Sequence, residues 1–226
     1  MIGIICATTK EKEALLEKMN GVYEEIGKPV LYHNKLIDNK YYVGKFDDKD
    51  VVVCHSGIGK VYASIGTMML MQKYEPTLII SLGEALSLSD KAQIGDTVLA
   101  LRVADWDVDY PDWERSIISD KISFGCDGRV NYFAADLFKG DNTVDIGPIV
   151  SGDEYLYRPD QLDEIKKFFP EALCVEMEGS SIANTAYAFN TPVVIARTIV
   201  GNPFEEKTEV AADRIVSVCE EILKKY

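Results

Sequence analysis

Three short segments of this chain combine residue types suited to binding and cleaving a hydroxyl-rich molecule. Ser56-Gly57-Ile58-Gly59-Lys60 follows one apolar run and opens another. Its glycines permit close backbone approach, and free N–H groups at a helix start suit an anion or a hydroxylated ligand. The same spacing also serves a plain strand-to-helix turn. Val175-Glu176-Met177-Glu178-Gly179 sets two carboxylates around a methionine where an apolar run changes period. A carboxylate at such a corner accepts hydrogen bonds from neighbouring sugar hydroxyls, or simply caps the helix against its dipole. Glu11 lies at the start of the first helical stretch. There it either faces the mouth of the sheet, the ligand side of open α/β folds, or stays a solvated first-turn charge.

These segments need a scaffold that brings distant parts of the chain to one edge. Residues 2–7 read as a buried strand, and Thr8 and Thr9 cap a helix running through Met19. Residues 31–36, 40–46 and 50–54 read as strands of a meander. A helix over 61–73, strands over 77–82 and 93–104, and a long loop over 105–131 follow. The rest alternates: strand 146–150, helix 159–169, strand 172–176, helix 179–189, strand 192–200 and helix 210–225. That order predicts a single α/β domain over 1–226, three-layered, with a mixed, mainly parallel sheet and helices on both faces.

Composition narrows the function classes. The 226 residues carry 37 acidic against 24 basic side chains, a formal charge of -13. Such a field repels polyanions, and no basic stripe opposes it, so nucleic acid is not an expected partner. The five cysteines lack the CxxC spacing of a zinc or redox site and fall mostly in apolar runs, so they read as reduced core residues, with no metal or cofactor expected. The N-terminus turns polar after seven residues and has no basic leader, so the expectation is a cytoplasmic protein without a membrane span.

Taken in order, Ile2-Gly3-Ile4-Ile5-Cys6-Ala7 with Glu11, Ser56 to Lys60, Val150-Ser151-Gly152-Asp153 and Val175 to Glu178 cover nearly the whole chain. Together they resemble the nucleoside phosphorylase and nucleosidase family, nearest its methylthioadenosine/adenosylhomocysteine nucleosidases. The resemblance implies hydrolysis of a purine N-glycosidic bond through an oxocarbenium-like transition state. By the same resemblance Glu11 activates water, and Glu178 holds the ribose 2′- and 3′-hydroxyls. Ser56, Gly57, Ile58, Glu176, Met177 and Arg197 belong to the substrate pocket, and Tyr155 stands where the family sets an aromatic against the base. A homodimer and a small purine nucleoside as ligand are implied too, with the loop 105–110 at the subunit contact.

Two positions depart from the family pattern. Where the nucleosidases close a strand with the Asp that protonates the leaving purine, this chain has Gly201, followed by Asn202. Asn202 can hydrogen-bond a base, and is the candidate in the acid's place, but an amide does not deliver a proton as a carboxylic acid does. In Leu82-Gly83-Glu84-Ala85-Leu86 the chain has Glu84 where the family has a glycine-rich turn with Ser, a region the phosphorylases use for phosphate. A carboxylate there repels phosphate and favours water as the acceptor. Slow or altered hydrolysis is the leading expectation, ahead of an impaired nucleoside-binding homologue and a phosphorylase.

Overall fold

The computed structural model describes residues 1–32, 35–37, 39–108, 124–125, 136–204 and 211–226. The first apolar run forms strand β1 (Ile2–Cys6), buried along its whole length. Helix α1 (Thr9–Lys18) starts from a capping box: the Thr8 hydroxyl accepts from the Glu11 N–H, and the Glu11 carboxylate accepts from the Thr8 N–H. This reciprocal pair satisfies two donors that a helix start otherwise leaves open.

The helix stops at Lys18, and β2 (Met19–Ile26) follows, a strand that the helical reading through Met19 leaves out. Most of β2 is exposed, so it lacks the apolar alternation that marks a strand in sequence. What holds it is antiparallel pairing with β5 (Lys40–Phe46). The expected strand over 31–36 is corrected as well. It is two short strands, β3 (Val30–Tyr32) and β4 (Lys35–Ile37), folded back on each other outside the main sheet.

Strand β6 (Lys49–His55) leads to α2 (Lys60–Tyr74), and β7 (Leu78–Ser87) runs longer than expected. Next come β8 (Thr97–Asp105), β9 (Phe124–Gly125), β10 (Val144–Ser151) and α3 (Pro159–Phe168). The last elements are β11 (Cys174–Glu176), α4 (Gly179–Ala188), β12 (Val193–Gly201) and α5 (Ala211–Lys225). Strand β8 starts late because residues 93–96 form a turn in which the Gln93 N–H donates to the Asp96 carboxylate. Most of the expected 105–131 loop lies outside the described residues.

The sheet order is β11-β10-β8-β12-β7-β1-β6-β5-β2, with β9 beside β8. It divides into two parallel groups. One is β12, β7, β1 and β6, the other β8, β10 and β11. The groups meet antiparallel at β12–β8 and again at β11–β7, so this half of the sheet curls back onto itself. The length of β7 makes this possible, because its first half pairs with β1 and its end, at Leu86 and Ser87, with β11. The expected mixed sheet is therefore present, with more antiparallel joining than a mainly parallel one.

Alternation along the buried strands splits the core in two. Ile4 and Cys6 join Leu15, Ile165 and Ile222 of α1, α3 and α5 on one face. Ile5, Cys54 and Ile79 join Leu70 and Ile182 of α2 and α4 on the other. Successive side chains of a strand point to opposite faces, so helices cover both.

Candidate functional site

A cavity of about 260 Å³ opens where the ends of several strands meet. Its walls are Ala7, Thr8 and Glu11 after β1, Ile58 after β6, and Glu84 to Leu86 of β7. Residues Glu154 to Leu156 after β10 and Val175 to Glu178 at the β11–α4 corner complete it. Segments far apart in sequence thus share one pocket, as the motif order predicts.

Glu11 is 3% exposed. Its Oε2 accepts from the Ala7 and Thr8 N–H groups, both at 2.9 Å. Burial pushes its carboxyl above the usual range, against the pull of those amides and of Arg197, and Glu84 adds to the rise. Glycine at position 83 has a steric reason here, since a Cβ would come within 3.3 Å of Glu11 Oε1.

Behind this wall stands a group the sequence reading overlooks. His55, the last residue of β6, lies 3.0 Å from the Ala7 carbonyl through Nε2, and a carbonyl oxygen only accepts, so Nε2 carries the proton. The Ala7 carbonyl and the Thr8 N–H belong to one peptide unit. His55 therefore polarises the peptide that donates to Glu11. Desolvation lowers the His55 pKa, so the ring stays neutral over most of the working range. A lone histidine at a strand end carries no motif, which explains why sequence gave no sign of it.

Glu178 is the N-cap of α4 and 8% exposed. Its Oε1 accepts from the Gly59 N–H at 2.8 Å, the bond that ties the glycine loop to the acidic corner. Burial, with the neighbouring Glu176 charge, pushes its carboxyl up to about 7. Such a group changes state in the physiological range, and when ionised it is a strong acceptor for hydroxyls.

Glu176 reaches the cavity wall, but its oxygens are occupied. They accept from the Gly179 N–H at 2.8 and 2.9 Å, the Glu178 N–H at 3.1 Å and the Ser151 hydroxyl, and Arg197 binds Oε2. Arg197 is not on the wall at all. It lies buried behind it, with Nη1 donating to Ser81 and to the Ala196 carbonyl. The resemblance expects it in substrate binding; in the structure it supports Glu176 from behind the wall. Ser56 and Gly57 also sit off the wall, the Ser56 hydroxyl donating to the Cys6 and Gly57 carbonyls. From that loop Ile58 lines the cavity and Gly59 supplies the amide for Glu178.

Met177, Tyr155 and Glu84 lie on the wall as expected, with Tyr155 48% exposed at the rim. Asn202 does not; it is exposed beyond the end of β12, whose last residue Gly201 stands in register with Leu86. The strand's path carries the next residue past the cavity, so the candidacy of Asn202 as acid lacks geometric support.

Lys60 is spent in a clasp between three loops. Its ammonium lies 2.7 Å from Asp107, 3.3 Å from Asp105 and 3.8 Å from Asp153. Asp107 also accepts from the Asp153 and Glu154 N–H groups. The clasp thereby fixes the segment carrying Tyr155. Under it, Gly152 admits the buried Trp106, whose Nε1 would lie 2.2 Å from a Cβ at that position.

Comparisons with known proteins give the family. The family model described as the phosphorylase superfamily matches residues 1–224. A 5′-methylthioadenosine/S-adenosylhomocysteine nucleosidase of Staphylococcus haemolyticus is 34% identical, the match covering 99% of this chain and 99% of that protein. One from Listeria monocytogenes serotype 4b is 32% identical over 99% of this chain and 98% of its own length. Among solved structures, the Streptococcus pneumoniae MTA/SAH nucleosidase in complex with 8-aminoadenine superposes with a TM-score of 0.87 at 28% identity, covering 100% of this chain and 99% of that one. The Neisseria meningitidis nucleosidase in complex with methylthio-immucillin-A gives 0.80 at 30% identity, with 100% and 99% covered.

Proposed function

The chain belongs to the phosphorylase superfamily, and from that premise we propose that its cavity hydrolyses the N-glycosidic bond of 5′-methylthioadenosine- and S-adenosylhomocysteine-type nucleosides. The observation that carries this reading is the convergence of Glu11 and Glu178, two buried carboxyls with raised pKa, on one pocket rimmed by Tyr155. Glu178 accepts the ribose hydroxyls, and Met177 packs on the sugar. Tyr155 offers its ring to the purine. Glu11, its Oε2 anchored by two amides, takes a proton from water as the water's oxygen bonds to C1′. The C1′–N bond breaks with its electron pair going to the base.

Hydrolysis is favoured over phosphorolysis because Glu84 lies on the cavity wall, where its charge opposes a phosphate dianion. The base departs without a carboxylic acid at Gly201, so turnover of neutral nucleosides is slow. A homodimer belongs to the reading, supported by the exposed apolar residues Val61 and Met68 on α2 beside the exposed Ile58 of the cavity rim. The reading places the protein in the cytoplasm, in keeping with the free thiols of Cys6, Cys54, Cys174 and Cys219.

The decisive assay measures purine release from a nucleoside panel with and without phosphate. Free ribose or 5-methylthioribose, formed at a rate indifferent to phosphate, supports the reading. Strict phosphate dependence with a sugar 1-phosphate as product overturns it.

A further inference from the structure

The charged side chains on the cavity wall are Glu11, Glu84, Glu154, Glu176 and Glu178, and no Lys, Arg or His stands among the described wall residues. Glu176 is neutralised by Arg197, and Glu154 lies 3.6 Å from Arg158. Lys60, close by, is taken up by its three aspartates. Glu11, Glu84 and Glu178 remain without an ion-pair partner among the described residues. Two of them are more than nine-tenths buried. In each of those two a carboxylate oxygen is left over, since amides hold Glu11 through Oε2 and Glu178 through Oε1. Buried carboxylates without an ion-pair partner, offset only by the more distant Arg197, create a field that a cation relieves and a neutral molecule does not.

Resting on the nucleosidase reading, we infer that this cavity selects nucleosides bearing a fixed positive charge over their neutral counterparts, with Glu84 as the residue that sets the preference. Glu11 and Glu178 have roles at water and sugar, whereas the Glu84 side chain has no hydrogen bond among the described residues and touches no reacting atom in that reading. The chemistry fits a site without an acid for the base. When an N7-alkylated purine leaves, the C1′–N electron pair discharges its positive charge and it departs as a neutral base needing no proton. Water supplies hydroxide to C1′ and its proton goes to Glu11, so cationic nucleoside and water yield neutral base, ribose and a proton. A sulfonium on the 5′ carbon presents the same charge at the other end of the molecule.

The test uses two nearly isosteric pairs, 7-methylinosine with inosine and 5′-dimethylthioadenosine with 5′-methylthioadenosine, on the wild type and on Glu84→Gln. Because intrinsic lability differs within each pair, the reading is the change that the substitution makes. Glu84→Gln should lower kcat/KM for the cationic member of at least one pair tenfold or more, and move its neutral twin less than threefold. The pair that responds tells whether base or 5′ substituent carries the recognised charge. Equal loss on both members of both pairs overturns the inference while leaving nucleosidase activity standing. If nothing is turned over, calorimetric binding of the same compounds decides: tighter binding of a cationic member, lost in Glu84→Gln, upholds the selectivity without the hydrolysis, and no such preference ends it.

Discussion

Arg197 and Glu176 form an ion pair under the cavity floor, with Nε at 2.9 Å and Nη2 at 2.5 Å from the same oxygen and side chains only 2% and 1% exposed. Glu176 in turn holds the N–H groups of Glu178 and Gly179, so the pair sets the corner from which Glu178 enters the cavity. Removing one partner leaves a buried charge alone, at a cost of about 3–5 kcal/mol. Arg197→Met is therefore expected to lower the urea midpoint strongly, and the double variant with Glu176→Gln to recover part of the loss. A single variant as stable as wild type would contradict this account.

Glu178 makes both activity and stability depend on pH. Its pKa is raised from 4.5 to about 7, so the protonated form dominates below neutrality and the ionised acceptor form above it. For a group whose folded pKa lies above its unfolded value, the stability contribution is complete below the unfolded pKa and is lost as pH rises through the folded one. The thermal midpoint should thus fall between about pH 5 and pH 8, and Glu178→Gln should flatten part of that fall. Activity runs the other way: kcat/KM should decline in acid as Glu178 takes a proton, and Glu178→Gln should cost at least about tenfold at pH 8.

The hydrogen bond from His55 to the Ala7 carbonyl supports the amide that donates to Glu11. Loss of that polarisation weakens the stabilisation of the Glu11 carboxylate. Arg197 and the Ala7 amide still favour its charged form, while Glu84 and burial oppose it. In a Glu178→Gln background, which removes that group's own titration, His55→Leu should shift the acid limb of the kcat/KM profile upward by a few tenths of a pH unit, in line with loss of about 0.5–1 kcal/mol. His55→Gln, which keeps a donor at similar reach, should restore it. An identical shift in both variants would show that the histidine acts by packing alone.

On the nucleosidase reading, glycine at position 201 gives the departing purine no carboxylic acid from the end of β12. Gly201 stands in register with Leu86, a wall residue. Gly201→Asp should raise kcat for methylthioadenosine by at least about tenfold, a conservative share of the general-acid range. Thermal melting must show that the variant folds. A wild-type kcat already near or above about 10 s⁻¹ would mean that Gly201 is no defect.

Much of this protein was legible in its sequence. The buried strands and most helix ends follow from local facts: apolar runs without interruption, the Thr8 cap three residues ahead of Glu11, and glycines at the turns of residues 57–59. Such signals lie within a few residues of one another, and steric and hydrogen-bonding preferences act at that range. The motif order pointed to the family, and Glu11, Ile58, Glu84, Tyr155, Met177 and Glu178 do line one pocket.

Only the tertiary structure decided what those residues face. Strand β2 is visible only through its partner β5, because an exposed edge strand carries no apolar alternation of its own. The family resemblance makes Arg197 and Glu176 pocket residues, yet packing turns the arginine inward and occupies the glutamate. The roles of His55 and Lys60 depend on contacts with chain dozens of residues away. Electrostatic environment is a property of three-dimensional neighbours, since burial and nearby charge move a carboxyl that sequence alone assigns its ordinary pKa. That is why two glutamates of the same type, Glu176 and Glu178, two residues apart, end as a structural anchor and a titrating group at the cavity.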